Sequence, residues 1–318
     1  MMYTILLPFT IFEVNLEYTF ACGEKYSSKL YISRSLVTIF ASMKLDVLIC
    51  TIDERIALVP AILLPMRADV NYIVSMQYTD EAYLQQIPQV LRERADVKVV
   101  TLKGKGLTRN RNFALKHATA DIALIADDDV RYCDEYFNRI ITTYKQHPHL
   151  DVAQFKIKSL DGGFIKNYPD YSYTYPHIAK GMYVSSQEIT LRVATVRGKV
   201  HFDERFGLGS PYFICGEEEI FFYDAYRAGF TVSYFPYFAV EHPSESTGVH
   251  TYTDERVMMA KGAMHYRLHG ASAWLRMFKF ALTSAIARKG RFGILLRNTF
   301  KGINYYRKVV RYESSIGR

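Results

Sequence analysis

From residue 44 to residue 235 the chain alternates two hydrophobic patterns. Short apolar runs of strand length fall at 44–50, 72–76, 97–102, 121–126, 151–157, 190–196 and 231–235. Between several of them, apolar residues recur every three or four positions. Residues 81–94 do so with Leu84, Ile87 and Leu91, and residues 133–144 with Phe137, Ile140, Ile141 and Tyr144. A helix is predicted from Thr108, read as its cap, to about His117; another runs from the 216–219 segment to Arg227 and is ended by Gly229. Residues 60–65 read as a short, proline-bounded helical stretch. Strands alternating with helices at this spacing predict βαβ units, hence a mixed, mostly parallel α/β sheet flanked by helices. The segment 161–175 breaks the alternation with two glycines, a proline and Tyr168, Tyr171, Tyr173 and Tyr175. Its rings either pack against the domain or offer faces for stacking on sugars.

The run 122–126 ends in three consecutive carboxylates, Asp127, Asp128 and Asp129. An unbroken apolar run fits a strand buried on both faces of a parallel sheet. Open α/β sheets bind ligands at the carboxyl ends of such strands. Adjacent charges repel by about 1 kcal/mol in water and several-fold more at a protein surface, a cost that a bound cation removes. The plainer reading is an acidic loop, or the first turn of the next helix. A second cluster, Glu217-Glu218-Glu219, opens a predicted helix, where acids gain roughly 0.3–1 kcal/mol from the helix dipole without any ligand. His242, after the last strand, reads on its own as a structural histidine. Together, two acidic clusters about 90 residues apart and an imidazole suggest a cation site with a base nearby. Carboxylates and imidazole suit Mn2+ or Mg2+.

The net charge of +8 is unevenly spread. From Arg256 to Arg318 there are 14 Lys and Arg against the single acid Glu313, a balance of +13, which leaves the rest at −5. A mildly acidic body with a basic tail is not the pattern of a nucleic-acid enzyme, and no nucleic-acid recognition motif accompanies the charge. The tail interleaves its cations with Met258, Met259, Trp274, Phe278, Phe280, Ile294, Leu295, Leu296 and Tyr305. It reads as amphipathic helices on an anionic inner-leaflet surface, or as a helical subdomain with a solvated basic face. The expected divisions are a poorly ordered or non-native arm at 1–42, a main domain at 43–250 and a basic helical extension at 251–318. Four scattered cysteines form no CxxC pair and fit a reducing compartment. No run of 18 apolar residues predicts a membrane span, and the N-terminal stretch lacks the basic flank of a signal peptide. The expected location is cytoplasmic, with peripheral membrane contact through 256–318.

Four ordered segments carry a resemblance. They are Leu48-Ile49-Cys50-Thr51 with Asp53-Glu54-Arg55; Gly106-Leu107-Thr108-Arg109-Asn110-Arg111-Asn112; Ala126-Asp127-Asp128-Asp129; and Phe202-Asp203-Glu204-Arg205-Phe206 followed by Gly216-Glu217-Glu218 and Ala228-Gly229-Phe230. With Glu241-His242-Pro243 and Ser246-Thr247-Gly248, they resemble an inverting family 2 glycosyltransferase of the GT-A fold, over about residues 44–250. That resemblance implies a hexosyltransferase-type enzyme in cell-surface polysaccharide synthesis. It would move a sugar from a nucleotide-diphosphate sugar, UDP first, to a glycan or lipid-linked acceptor hydroxyl.

It also implies roles. Asp129, Asp127 and His242 would hold Mn2+ or Mg2+. Thr51 and Asp53 would line the base pocket, Arg111 would lie near the nucleotide phosphates, Asn112 would also belong to the nucleotide site, and Asp128 would sit beside the ribose or sugar. Glu218 falls on the general-base position, with Glu217 or Glu219 able to share it. Two departures stand out. The family's base is commonly aspartate, one methylene shorter. The second-strand segment Val74–Asp80 also lacks the acids that relatives use on the nucleotide. The rivals are a GT-A-like sugar-nucleotidyltransferase, whose Gly-rich loop is missing after the first strand, and a non-catalytic α/β binding module with a docking tail. The segment Lys103-Gly104-Lys105-Gly106 lacks the spacing of a phosphate loop.

Overall fold

The computed structural model describes residues 11–19, 25–33, 43–161, 165–243 and 251–316. Cys22 and the Ser246-Thr247-Gly248 segment lie outside the described residues. Two compact units divide the chain at Met43/Lys44. In the first, β1 (Ile11–Thr19) and β2 (Lys25–Ser33) pair antiparallel from Ile11↔Ser33 to Thr19↔Lys25.

The second unit is built on a sheet of eight strands: β3 (Leu45–Ile52), β4 (Val70–Tyr78), β5 (Val97–Lys103), β6 (Ile122–Asp127), β7 (Val152–Ser159), β8 (Tyr173–Thr174), β9 (Ile189–Arg192) and β10 (Val232–His242). Their spatial order is β5-β4-β3-β6-β9-β7-β10-β8. β3 pairs parallel with β4 and β6, and β4 pairs parallel with β5. β9 runs antiparallel between β6 and β7, β10 pairs parallel with β7, and β8 closes the edge antiparallel. β3 and β6 are apolar on both faces because helices cover both, and their Val47, Leu48, Ile49, Leu124 and Ile125 are fully buried. The Cys50↔Asp127 register brings the polar ends of these two strands side by side.

Helices α1 (Gln89–Glu93), α2 (Leu107–His117), α3 (Asp134–Gln146), α4 (Val193–Val196) and α5 (Glu217–Arg227) fill the crossovers. Several boundaries differ from the sequence expectation, each for a local reason. The 81–94 helix is cut by Pro88 into a 3-10 turn and the short α1. Of the helical stretch expected at 60–65, only Pro60 and Ala61 are helical, as the end of a 3-10 helix that starts at Asp53. The 190–196 strand stops at Arg192, where burial of Val193 and Val196 in the core coils the chain into α4. Thr108 does not cap α2: its hydroxyl donates to the Phe206 carbonyl, and Gly106 holds the cap position. Of the 161–175 tyrosines, Tyr168 and Tyr173 stack on Tyr234, and Tyr175 packs on Phe222. Tyr171 alone of the four is mostly exposed.

The extension forms α6 (Glu255–His269), α7 (Ala273–Ile286) and α8 (Phe292–Ile316). α6 and α8 cross backbone to backbone at Gly262 and Gly302, where a Cβ on either would drive into the Thr299 or Met259 carbonyl. The pair packs Ala260, Ala263, Met264 and Tyr306 against Phe206, Phe213 and Ile220 of the sheet domain. Arg267 bonds Asp203 at 3.1 Å and Asp224 at 2.6 Å. No helix among the described residues is long and apolar enough to cross a membrane.

Candidate active site

The polar residues that follow β3 and β6 meet at the carboxyl edge of the sheet. Asp128 is buried there, accepting from the Thr51 hydroxyl at 2.6 Å and from the Arg55 guanidinium. Its carboxylate is thus taken up in tying the two strand ends together. Asp53, held in the left-handed region at φ 49°, accepts from the Thr79 amide at 2.7 Å and the Thr79 hydroxyl at 2.9 Å. That contact joins the end of β3 to the end of β4. Asp127 leans toward β9, where Gln187 Nε2 donates to it at 2.5 Å and Ser186 Oγ at 3.2 Å.

Arg111 is the hub of the site. It projects from α2 into the interior, 1% exposed, with its guanidinium over the Phe202 ring. It pairs with Asp127 at 3.3 Å, Glu217 at 2.9 Å and Glu218 at 3.5 Å. One buried cation therefore bridges the end of β6 and the first turn of α5. Burial opposes its charge, but three carboxylates outweigh that and keep the guanidinium ionised. Arg111 Nε and Glu217 Oε2 are buried with no hydrogen-bond partner among the described residues. Asn112 points away from this cluster: its amide brackets the Phe202 backbone at 2.9 Å in both directions and reaches Glu204 at 3.1 Å. Gly207 then passes so close to α2 that a Cβ there would sit 2.7 Å from Thr108 Oγ1 and 3.2 Å from Glu217.

The acids at the start of α5 are tuned by this packing. Burial, and then repulsion from Glu217, pushes Glu218 up to about 8 against the pull of Arg111. Burial and Glu218 together bring Glu219 to about 7. Glu217 is also raised, by burial, with Arg111 pulling it back. Glu218 keeps 16% of its side chain exposed, enough for a small group to reach it.

Asp129 and His242 face each other across 3.4 Å (Oδ1 to Nε2), with Arg55 bonded to the other Asp129 oxygen at 3.1 Å. The Asp129 carboxyl is held below its ordinary range, by the imidazole first and by Arg55 as well. Burial alone would lower His242, yet Asp129 and the Pro243 carbonyl raise it. The Nδ1 of His242 lies 2.5 Å from that carbonyl, so Nδ1–H donates there and Nε2 is the atom turned toward Asp129. Among the described residues no group of three or more His, Cys, Asp or Glu side chains could hold a metal ion. The donor pair that is present fits a hard cation all the same, since Mg2+ is usually bound by one or two carboxylates together with substrate phosphates. An Nδ1–H anchored on a carbonyl is how a metal-binding imidazole is commonly oriented.

A separate cleft of about 410 Å³, lined among others by Lys105, Thr108, Arg109, Glu204, Ser210 and Tyr212, does not include these carboxylates. Gly207 stands between its wall residue Thr108 and Glu217.

Sequence reasoning missed the turn that carries Ser186 and Gln187. Glu188, fully buried, accepts from the Ser185 amide at 2.9 Å, from Gln154 at 2.8 Å and from Lys166 at 2.8 Å. Ser185 and Glu188 form a capping box whose S-x-x-E spacing is visible in the chain, and it could have flagged this turn. Its partner Lys166, in the tyrosine-rich segment, had no such signal.

Residues 78–202 match the family model described as Glycosyl transferase family 2. The matched segment spans α2 with Arg111, the β6 strand end and the 185–188 turn. Over that segment the chain resembles family 2 glycosyltransferases, and with the strand order described above its fold is GT-A-like. No curated protein matches the chain in sequence. Among solved structures, the chain is similar to S. aureus TarS 1-349, with a TM-score of 0.53 and 17% identity over 84% of this chain and 92% of that one. The same protein in complex with UDP-GlcNAc gives 0.51 and 18%, over 86% and 92%. Its complex with UDP gives 0.50 and 19%, over 87% and 92%. At these identities the likeness is one of fold.

Proposed function

We propose that the protein is a metal-dependent, inverting glycosyltransferase that moves a sugar from a UDP-sugar to a hydroxyl of a glycan or lipid-linked acceptor. It would work in cell-surface polysaccharide synthesis and at the cytoplasmic face of a membrane. The observation that carries the reading is Arg111, one buried cation joining the β6 strand end to the acids of α5. It sets a donor-side carboxylate and a candidate base in one rigid frame.

Glu218 takes the base role. A group poised near 8 is partly ionised around neutral pH and basic enough to accept a proton from an attacking hydroxyl. Arg111 fixes its carboxylate, and the buried Glu217 beside it keeps the affinity for a proton high. Asp129 and His242 would hold Mn2+ or Mg2+ together with the phosphates of the donor. When bound, such a cation supplies charge neutralisation to a departing pyrophosphate. Thr51 and Asp53 would border the nucleotide, since they lie at the carboxyl ends of the central strands, where open sheets take such ligands. The solved TarS complexes with UDP-GlcNAc and UDP support UDP as the first nucleotide to try.

The test is a thermal-shift series with UDP, GDP and dTDP, each with and without Mn2+. A nucleotide at 100 times its Kd stabilises by about 2.7 kcal/mol. UDP should raise the melting temperature by several degrees, and more with Mn2+ than without. A shift indifferent to the metal would remove the cation from the proposal, and no shift with any nucleotide would remove the donor.

A further inference from the structure

α7 turns Ala273, Met277, Ala281 and Ser284 into the molecule at the spacing of one helix face. The face directly opposite carries Leu275, Phe278, Leu282 and Ile286, exposed by 73%, 45%, 44% and 74%. Ile294 at the start of α8 adds a fifth exposed apolar side chain after the turn. Arg276 and Lys279 flank the stripe, and Arg288, Lys289 and Arg291 occupy the turn beyond it. None of these five cations has a carboxylate partner among the described residues, and the chain from 256 to 312 contains no acid that could supply one. Soluble surfaces scatter apolar side chains singly; a continuous stripe marks a face that is covered in use.

The cover must be apolar along its centre, negative around it and indifferent to hydrogen-bond pattern, because the stripe offers no hydroxyl or amide except Thr283. An anionic bilayer interface has that chemistry. We propose that α7 and the 287–291 turn are the docking face for an anionic lipid bilayer, with Leu275, Phe278, Leu282 and Ile286 inserted below the headgroups. This deepens the membrane part of the proposed function and narrows it to one helix. The apolar faces of α6 and α8 are already used, against each other and against the sheet domain.

The experiment is flotation of the full chain with vesicles of phosphatidylcholine alone, and of phosphatidylcholine with phosphatidylglycerol. The chain should float with the anionic vesicles, hardly with the neutral ones, and less at high salt. Leu282→Glu combined with Ile286→Glu should lower binding by at least about tenfold, since two inserted aliphatic side chains are lost. Lys279→Ala should lower it by about fivefold. Both changes lie on an exposed face, so the melting temperature and its shift with UDP should match the unaltered chain. That second readout separates failure of docking from failure of the nucleotide reading. If the glutamates lower the melting temperature, Leu275→Ser with Ile286→Ser takes their place. The proposal is overturned if the chain stays at the bottom with anionic vesicles, or if the double variant floats equally well. A dimer in solution that Leu282→Glu dissolves would also overturn it, in favour of a second copy of the chain.

Discussion

A carboxylate in water gives up its proton near pH 4, too readily to take one from a sugar hydroxyl. Glu218 escapes this by burial beside Glu217. Glu218→Gln should therefore lower transfer by about 10²–10⁴-fold in steady-state assays while leaving the UDP thermal shift unchanged. The raised value also has a stability signature. In the folded chain Glu218 keeps its proton up to about pH 8, whereas in the unfolded chain it ionises near 4. Between those limits the native state binds the extra proton, so this contribution to stability is complete below the lower limit and is lost as pH rises through 8. Urea unfolding at pH 5 and pH 9 should show Glu218→Gln gaining on the unaltered protein at the higher pH. Arg111→Met should cost about 3–5 kcal/mol in the same assay, because it strands the buried Glu217 without its partner. The residue types at the site were legible because strand-end acids and a helix-opening acid cluster stand out from their neighbours. Their orientations were not. Asp128 looks like its two neighbours in the chain, yet it is the one of the three that is buried, bonded to both Thr51 and Arg55. Rotamer and burial decided that, and neither is written in the local pattern.

Elements show the same division. The central strands β3 and β6 were readable because burial on both faces leaves an unbroken apolar run within each, as in β3 from Val47 to Ile49. β9 was misjudged in length because Val193 and Val196 are as apolar as a strand requires, and only the core they enter shows that they belong to α4. The 185–188 turn is the element with the most to reveal. Glu188 and Lys166 are buried as an ion pair beneath it, and the turn they hold presents Gln187 and Ser186 to Asp127. Lys166→Met leaves Glu188 unpaired and should destabilise by about 3–5 kcal/mol, measured by urea unfolding. Gln187→Ala sits above that pair and should change stability far less. If the turn positions Asp127 for the donor, its effect should appear as a raised KM for the UDP-sugar. In the extension, Gly302→Ala must push α8 away from the Met259 carbonyl. A cost of about 1–3 kcal/mol is expected, a fall of several degrees in Tm by scanning calorimetry.

At the scale of the whole molecule, the uneven charge pointed to a helical C-terminal extension but not to where it would rest. Composition gave its cations and aromatics; it could not show that Gly262 and Gly302 let two of its helices close on each other, or that Tyr306 reaches Phe206. That contact bears on how far the polypeptide can be shortened. Phe206, Phe213 and Ile220 lie on the underside of the segment that presents Glu217 and Glu218, and α6 and α8 are what keep water from them. A protein ending near residue 250 would expose three large apolar side chains directly behind α5, and Arg267 would no longer brace Asp203 and Asp224. Such a truncation should fail on a freely soluble acceptor as completely as on one embedded in lipid. Loss of activity on removing the tail is therefore no measure of what the tail touches outside the protein; only substitutions on its outer surface can report that.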